Sequence, residues 1–348
     1  MSAKRLAATI AALGISVASL AACSSGPETG PSQSDDTGTT GDNQVFTVVQ
    51  YEDPKSALVQ GWQLAAEIFE DQHPGVTVDL QTTSFDSMQK NAKLLLSGND
   101  VPDVVEVNLG NADAGQLASQ GLIDPLTDEV TARGWDQKVT GAMQSLARYD
   151  ERGLAGEGDW YGVPNIGQYV TVYYNKDMFE KAGIDSIPTN LDEFESMLGT
   201  LSATGVTPIA SSASADQGFN QLWWWYSLVS ARLDRQGADD YVLLDAPVNF
   251  NSQPWEDGTR QFQDWIDAGY FGNELGGLSF EQALVNFLSG NAAMYMWNFT
   301  AYNRIMDNPD FEAGFFTLPG SEMVLGNSGH LWSIPSASKN KDLAYDWI

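Results

Sequence analysis

Cysteine is almost absent from this chain of 348 residues: Cys23 stands alone, so neither a disulfide framework nor a thiolate metal cluster can be built from it. Histidine is nearly as scarce. His73 and His330 are the two present, which leaves a histidine-based metal centre or a Ser-His-Asp triad almost no material. Positive charge is sparse too, 17 Lys and Arg against 46 Asp and Glu, for a formal charge of −29. A field of that sign repels phosphate backbones and anionic membrane faces, so no nucleic-acid partner is expected, while a neutral ligand remains compatible. There is no Walker loop, no G-x-S-x-G elbow and no internal repeat.

Long apolar runs are missing as well. Leu6 to Leu20, behind Lys4 and Arg5, is apolar but too short and too weakly hydrophobic to span a bilayer, and residues 1–23 read as an export signal. They close on Leu20-Ala21-Ala22-Cys23, which resembles the cleavage box of bacterial lipoproteins. That resemblance implies lipid on Cys23, as the new N-terminus. Residues 24–44 carry no large apolar side chain and cannot offset the entropy of ordering, so they read as a disordered tether. A flexible coil of that length spans roughly 25 Å, enough to hold a globular body beside a membrane without inserting it.

What is present is a body of about 300 residues, beyond the size at which one core usually divides, so two lobes are expected. Val45 to Tyr51 reads as a buried first strand; Leu58, Trp62, Ala65, Ile68 and Phe69 follow at helical spacing, and His73-Pro74-Gly75 stops that helix. Val76, Val78 and Leu80 alternate as a second strand, Ser84 caps a second helix, and Val101 to Val107 is a third strand. A β-α-β-α-β order implies a mostly parallel sheet, and ligands of such sheets sit beyond the carboxyl ends of the strands. Glu52, Asp53, Asn108 and Asn111 occupy those positions and are the first-lobe candidates, each equally able to serve as a helix cap or loop residue.

The stretch Trp160 to Asp177, WYGVPNIGQYVTVYYNKD, puts Gly162 and Pro164 before the amides Asn165 and Gln168 and a half-aromatic strand. This composition suits a chain crossing between lobes along the floor of a cleft. Later, Trp223, Trp224, Trp225 and Tyr226 follow one another within a helix beginning near Phe219. Successive helical residues point about 100° apart, so at least one of these rings must leave the core, and Trp224 is the candidate carried forward. Ala292 to Trp297 reads as a strand with Asn298 just beyond it, Trp297 being the first choice for stacking on a ligand. A glycine-rich turn adds His330 and Trp332. A final helix from Lys339 stops inside its apolar stripe at Ile348, which suggests that the natural chain continues.

Several segments resemble one family: EIFEDQHPGVTV from Glu67, Pro102-Asp103-Val104, GLIDPL from Gly121, Tyr161-Gly162-Val163-Pro164, YYNKDMFEK from Tyr173, Pro188 to Phe194, FLSGNAAM from Phe287 and IPSASKNKDLAYDW from Ile334. In that order, over residues 45–348, they are similar to the extracellular solute-binding proteins of carbohydrate ABC transporters, the group of maltose-binding protein. The resemblance implies an α/β protein of type II periplasmic-binding-protein form, two lobes of mostly parallel sheet flanked by helices and hinged around a ligand cleft. It places one lobe at 45–164, a second at 165–298 and a return to the first at 299–348. It implies that Trp297 is the sugar-stacking ring and that Gln168 takes a polar ligand position that is a carboxylate in maltose-binding protein. It also implies a monomer without cofactor or metal that passes a sugar or oligosaccharide to permease transmembrane subunits. Indoles cover the C–H faces of sugars and amides or carboxylates bind their hydroxyls, so the candidate residues suit that ligand. The rivals are a secreted glycoside hydrolase using two carboxylates, which 46 acidic residues can always mimic, and a lipid-anchored sensory ectodomain.

Overall fold

Phe46, Val48, Val104 and Val105 are fully buried, the mark of neighbouring strands covered on both faces. They lie in a computed structural model that describes residues 43–348 apart from 215–217, 245, 273–276, 309, 321 and 328. Cys23, the export signal and nearly all of the tether lie outside the described residues, although β1 already begins at Gln44. The chain opens with β1 (Gln44–Gln50), α1 (Ala57–Gln72), β2 (Val76–Thr82), α2 (Phe85–Leu96) and β3 (Val104–Val107). The third strand is shorter than its sequence pattern, since Val101 to Asp103 stay outside it. Short helices α3 (Ala114–Ser119), α4 (Thr127–Ala132) and α5 (Ala142–Ser145) lead to four two-residue strands. These are β4 (Arg148–Tyr149), β5 (Asp159–Trp160), β6 (Val163–Pro164) and β7 (Gln168–Tyr169), and β8 (Thr171–Asn175) follows.

Beyond β8 come α6 (Lys176–Lys181), α7 (Leu191–Ala203), β9 (Thr207–Ala210), α8 (Phe219–Ser230), α9 (Arg235–Val242) and α10 (Gln253–Asp267). Then follow α11 (Phe280–Leu288), β10 (Ala292–Trp297), α12 (Tyr302–Met306), β11 (Ala313–Phe316), β12 (Gly326–Asn327), β13 (Leu331–Ser333) and α13 (Lys341–Trp347).

Two sheets organise these elements. The first has the order β2-β1-β3-β13-β6; β1 is parallel to β2 and β3, while β13 runs antiparallel to β3 and β6. The second has the order β11-β8-β10-β9, in which only the β9–β10 pair is parallel. Each sheet has its own core. Phe46, Phe69, Trp62, Trp332 and Trp347 pack under the first, and Phe194, Trp224, Trp265 and Phe271 under the second.

The chain crosses from first sheet to second just after β6, as the Trp160 to Asp177 stretch implies. It does not return at residue 299. Residues 299–316 form a 3-10 turn, α12 and β11, and β11 pairs with β8 in the second sheet, so the return waits until β12 has paired with β7. Gly162 makes the crossing compact. A Cβ there would stand 2.6 Å from Ser333 Oγ and 2.7 Å from Leu331 Cβ, so only glycine lets β6 lie this close to β13.

Candidate ligand-binding site

Strand ends from both sheets converge on a cavity of about 410 Å³. Tyr51, Glu52 and Asp53 follow β1, Thr83 and Ser84 follow β2, and Asn108 follows β3. From the second sheet come Trp297 at the end of β10 and Asn298 just beyond it, joined by Phe219 and Trp223 of α8, Phe280 and Glu281 of α11, and Arg304 of α12. Phe85 and Phe219, from opposite lobes, meet edge to face at 6.0 Å at this cavity.

Its floor is a buried charge cluster. His330 Nδ1 lies 3.0 Å from Glu52 Oε1 and 3.1 Å from Glu106 Oε1. Glu106 also accepts from Asn165 Nδ2 at 2.7 Å and from the Tyr51 N–H at 3.0 Å, and the His330 N–H donates to Asn165 Oδ1 at 3.1 Å. Asn165 belongs to the outward crossing and His330 to the return, so the cluster ties both crossings to the ends of β1 and β3. Burial alone lowers the basicity of His330, but the hydrogen bonds to Glu106 and Glu52 and their charges more than reverse this, raising its pKa to about 9. The ring is therefore an imidazolium held between two carboxylates at neutral pH. Burial, and after it the charges of Glu106 and Glu52, also push the neighbouring Tyr51 phenol well up.

Glu52, Glu106 and His330 could in principle supply three metal ligands, since their ligand atoms lie within 4.8 Å of one another. Both oxygens of Glu106 already accept from protein N–H groups, and a proton on His330 does the bridging a cation would do.

The opposite wall is aromatic. Trp297 stacks on Phe280 (5.0 Å, 15° between planes) and on Tyr295 (5.8 Å, 18°), and Trp223 leans on it at 4.7 Å. A hydrogen bond from Trp297 Nε1 to Thr300 Oγ1 at 3.0 Å fixes the indole. Glu281 and Arg304 form a bidentate pair beside this wall. A flat, half-buried aromatic surface facing carboxylates and an amide can cover the C–H face of a neutral ligand while the far side binds its hydroxyls.

Of the residues singled out from sequence, Glu52, Asp53, Asn108, Trp297, Asn298 and His330 line this cavity. Several have local duties there. Asp53 Oδ1 accepts from the Lys55 N–H at 2.8 Å, Asn108 Nδ2 donates to Asp113 Oδ2 at 2.5 Å, and Asn298 Oδ1 caps the following turn through the Thr300 N–H at 3.1 Å. Asn111 lies outside the cavity, its Oδ1 accepting the Ala155 N–H at 2.8 Å within a first-lobe loop. Trp224 is fully buried against Phe194 and Trp265; the ring that faces the cleft is Trp223, one helical step of 100° away. Trp332 sits in the first core between Trp62 and Trp347, outside the cavity that His330 lines. Gln168 lines a second cavity, not this one.

Sequence reasoning missed Tyr51, Phe219, Phe280, Glu281 and Arg304. Phe280 and Glu281 open α11 behind the Ser279 capping box, a legible signal for a helix start but not for the direction in which that helix points.

Residues 54–348 match the model of the bacterial extracellular solute-binding protein family. The chain belongs to this family. Its members are extracellular, which places the protein outside the cytoplasm. The chain is 25% identical to the diacetylchitobiose binding protein DasA of Streptomyces coelicolor over 359 aligned positions, 97% of this chain and 76% of that protein. It is 23% identical to a Brucella abortus (strain 2308) protein whose name goes no further than binding, and spans 64% of that relative's length. Among solved structures, a chitin oligosaccharide binding protein superposes with a TM-score of 0.68 at 23% identity, over 88% of this chain and 77% of that one. The solute-binding fold, two sheets with flanking helices, is thus common to them.

Proposed function

We propose that this solute-binding protein captures a sugar or oligosaccharide between its lobes and delivers it to the transmembrane subunits of an ABC-type importer. The observation that carries this reading is the cavity itself, where the Trp223, Phe280 and Trp297 wall of one lobe faces Glu52, Asp53 and Asn108 of the other. That division matches a ligand with an apolar C–H face and a hydroxyl rim. The names of two proteins that this chain resembles, diacetylchitobiose binding protein and chitin oligosaccharide binding protein, point to the same ligand class. The ligand leaves chemically unaltered, lipid on Cys23 holds a monomeric body at the outer face of the cell membrane, and the energy for uptake comes from ATP hydrolysis elsewhere in the transporter. Closing the lobes desolvates the ring contacts, and ligand favours the closed form by its differential affinity for it.

A thermal-shift screen across neutral mono- and oligosaccharides tests the reading. A sugar that raises the melting temperature and is recovered intact after incubation supports it. Conversion of that sugar to products would make the protein a hydrolase, and an unmoved melting temperature across the whole panel would remove carbohydrate as the ligand.

A further inference from the structure

A smaller cavity, of about 200 Å³, is lined by first-lobe residues alone and adjoins the ligand cavity, since Tyr51, Phe85 and Asn108 line both. Its volume is below the roughly 300 Å³ at which small-molecule sites begin, so it suits one substituent of a ligand held in the main cavity rather than a ligand of its own. Phe85, Met88 and Ala92 stand at i, i+3 and i+7 of α2, on a single helical stripe, and with Val107 of β3 and Leu117 of α3 they supply an apolar lining. Asn108 Nδ2 donates to Asp113 Oδ2 at 2.5 Å, which sets the amide so that its oxygen remains as an acceptor.

Tyr51 supplies the decisive group. Its ring is held by Phe85 at 5.4 Å and His330 at 4.8 Å, and the residue is 6% exposed, yet its hydroxyl has no hydrogen-bond partner among the described residues. Native interiors rarely leave a buried hydroxyl in that state, because it loses water and gains nothing in return. The O–H keeps its proton: burial, and after it the charges of Glu106, Glu52 and Asp113, push the phenol well above its ordinary range. The same carboxylates set a negative field here, which repels a carboxylate, sulfate or phosphate on the ligand. A neutral substituent that fits this cavity must accept one hydrogen bond from Tyr51, offer one to Asn108 and end in a small apolar group. A hydroxyl lacks the apolar end and a methyl ether lacks the donor. An acetamido group has all three, in its carbonyl oxygen, its N–H and its methyl.

We propose that this first-lobe side cavity receives the acetamido group of an N-acetylated sugar, the Tyr51 hydroxyl donating to the carbonyl oxygen, the Asn108 amide oxygen accepting from the N–H, and Met88, Ala92 and Leu117 enclosing the methyl. This rests on the carbohydrate reading above and adds to it the substituent that sets specificity.

The test is calorimetric titration with sugars matched except at the second carbon: N-acetylglucosamine against glucose, N-acetylgalactosamine against galactose, and N,N′-diacetylchitobiose against cellobiose. In the pair that binds, the acetamido member is expected to bind tighter by about tenfold or more. Tyr51→Phe keeps the ring and removes the hydroxyl, and is expected to cut that ratio about tenfold, while the ligand-free melting temperature stays unchanged or rises because an unpartnered buried hydroxyl is gone. Ala92→Phe fills the side cavity from a residue that does not line the main one, and is expected to collapse the ratio in the same way. Reading the ratio within a pair separates loss of this preference from a general loss of binding. Binding with no preference for the acetamido member, or a preference that survives Tyr51→Phe, would overturn the side-cavity assignment and leave sugar capture standing. Failure of every neutral sugar, these pairs included, to bind would overturn the carbohydrate reading and this inference with it.

Discussion

Two tryptophans of the second lobe, Trp224 and Trp297, separate binding from folding. Trp224 has no exposed surface and packs on Phe194, Trp265 and Phe271, so Trp224→Ala is expected to destabilise the fold by about 3–5 kcal/mol in urea titration. Trp297, with Trp223 leaning on it, faces the cleft half-buried. Trp297→Ala is expected to weaken sugar binding by about 1–3 kcal/mol in calorimetry; unchanged affinity with lowered stability would assign the ring to the core. His330 supplies a pH signature. Its pKa rises from 6.5 to about 9 on folding, so its contribution is complete below about pH 6.5 and is withdrawn as pH climbs through 9. The amount is on the order of 3 kcal/mol, and facing groups Glu52, Glu106 and Tyr51 share the same burial. His330→Gln should therefore cost stability at pH 6 and progressively less toward pH 10, and equal unfolding midpoints at the two ends would refute the clamp.

At the scale of elements, the site depends on how strands end and helices begin. Ser84 caps α2 through the Ser87 N–H at 3.1 Å, as its place before an apolar stripe predicts. Asn190 is the cap of α7. Asn190 accepts the Glu193 N–H at 2.9 Å, while Thr189 is held from outside by the Glu193 carboxylate. At the crossings, glycine is a steric requirement. Gly162→Ala places a methyl against Ser333 and Leu331 and is expected to lower stability by about 1–3 kcal/mol, seen as a shifted urea midpoint. Gly329 has φ of +71° and a Cβ there would collide with Ile166, so Gly329→Ala should be at least as damaging and should disturb the adjacent His330.

For the whole molecule, the expectation is a hinge that closes on ligand. Small-angle scattering should show a smaller radius of gyration with bound sugar, and sugar at 100 times its Kd should stabilise the fold by about 2.7 kcal/mol. Affinity should vary little with salt despite the charge of −29, because an uncharged ligand gains nothing from that field; strong salt dependence would point to a charged solute. Much of this plan is legible without coordinates. Alternation from Val76 to Leu80 predicts β2, the Trp160 to Asp177 stretch predicts the crossing, and strand-end logic brings Glu52, Asp53, Asn108, Trp297 and Asn298 to one cavity. These follow because period, turn residues and strand polarity are local properties of the chain. What the sequence alone determined is therefore an anionic, nearly cysteine-free, two-lobed α/β body with a polar and aromatic seam. Only the tertiary structure decided that Trp223 faces the cleft in place of Trp224, that His330 closes a clamp on Glu52 and Glu106, and that Gln168 and Trp297 occupy separate cavities. Each of those outcomes turns on the rotation of one element about its axis or on the meeting of residues far apart in the chain, which packing sets and local pattern does not carry.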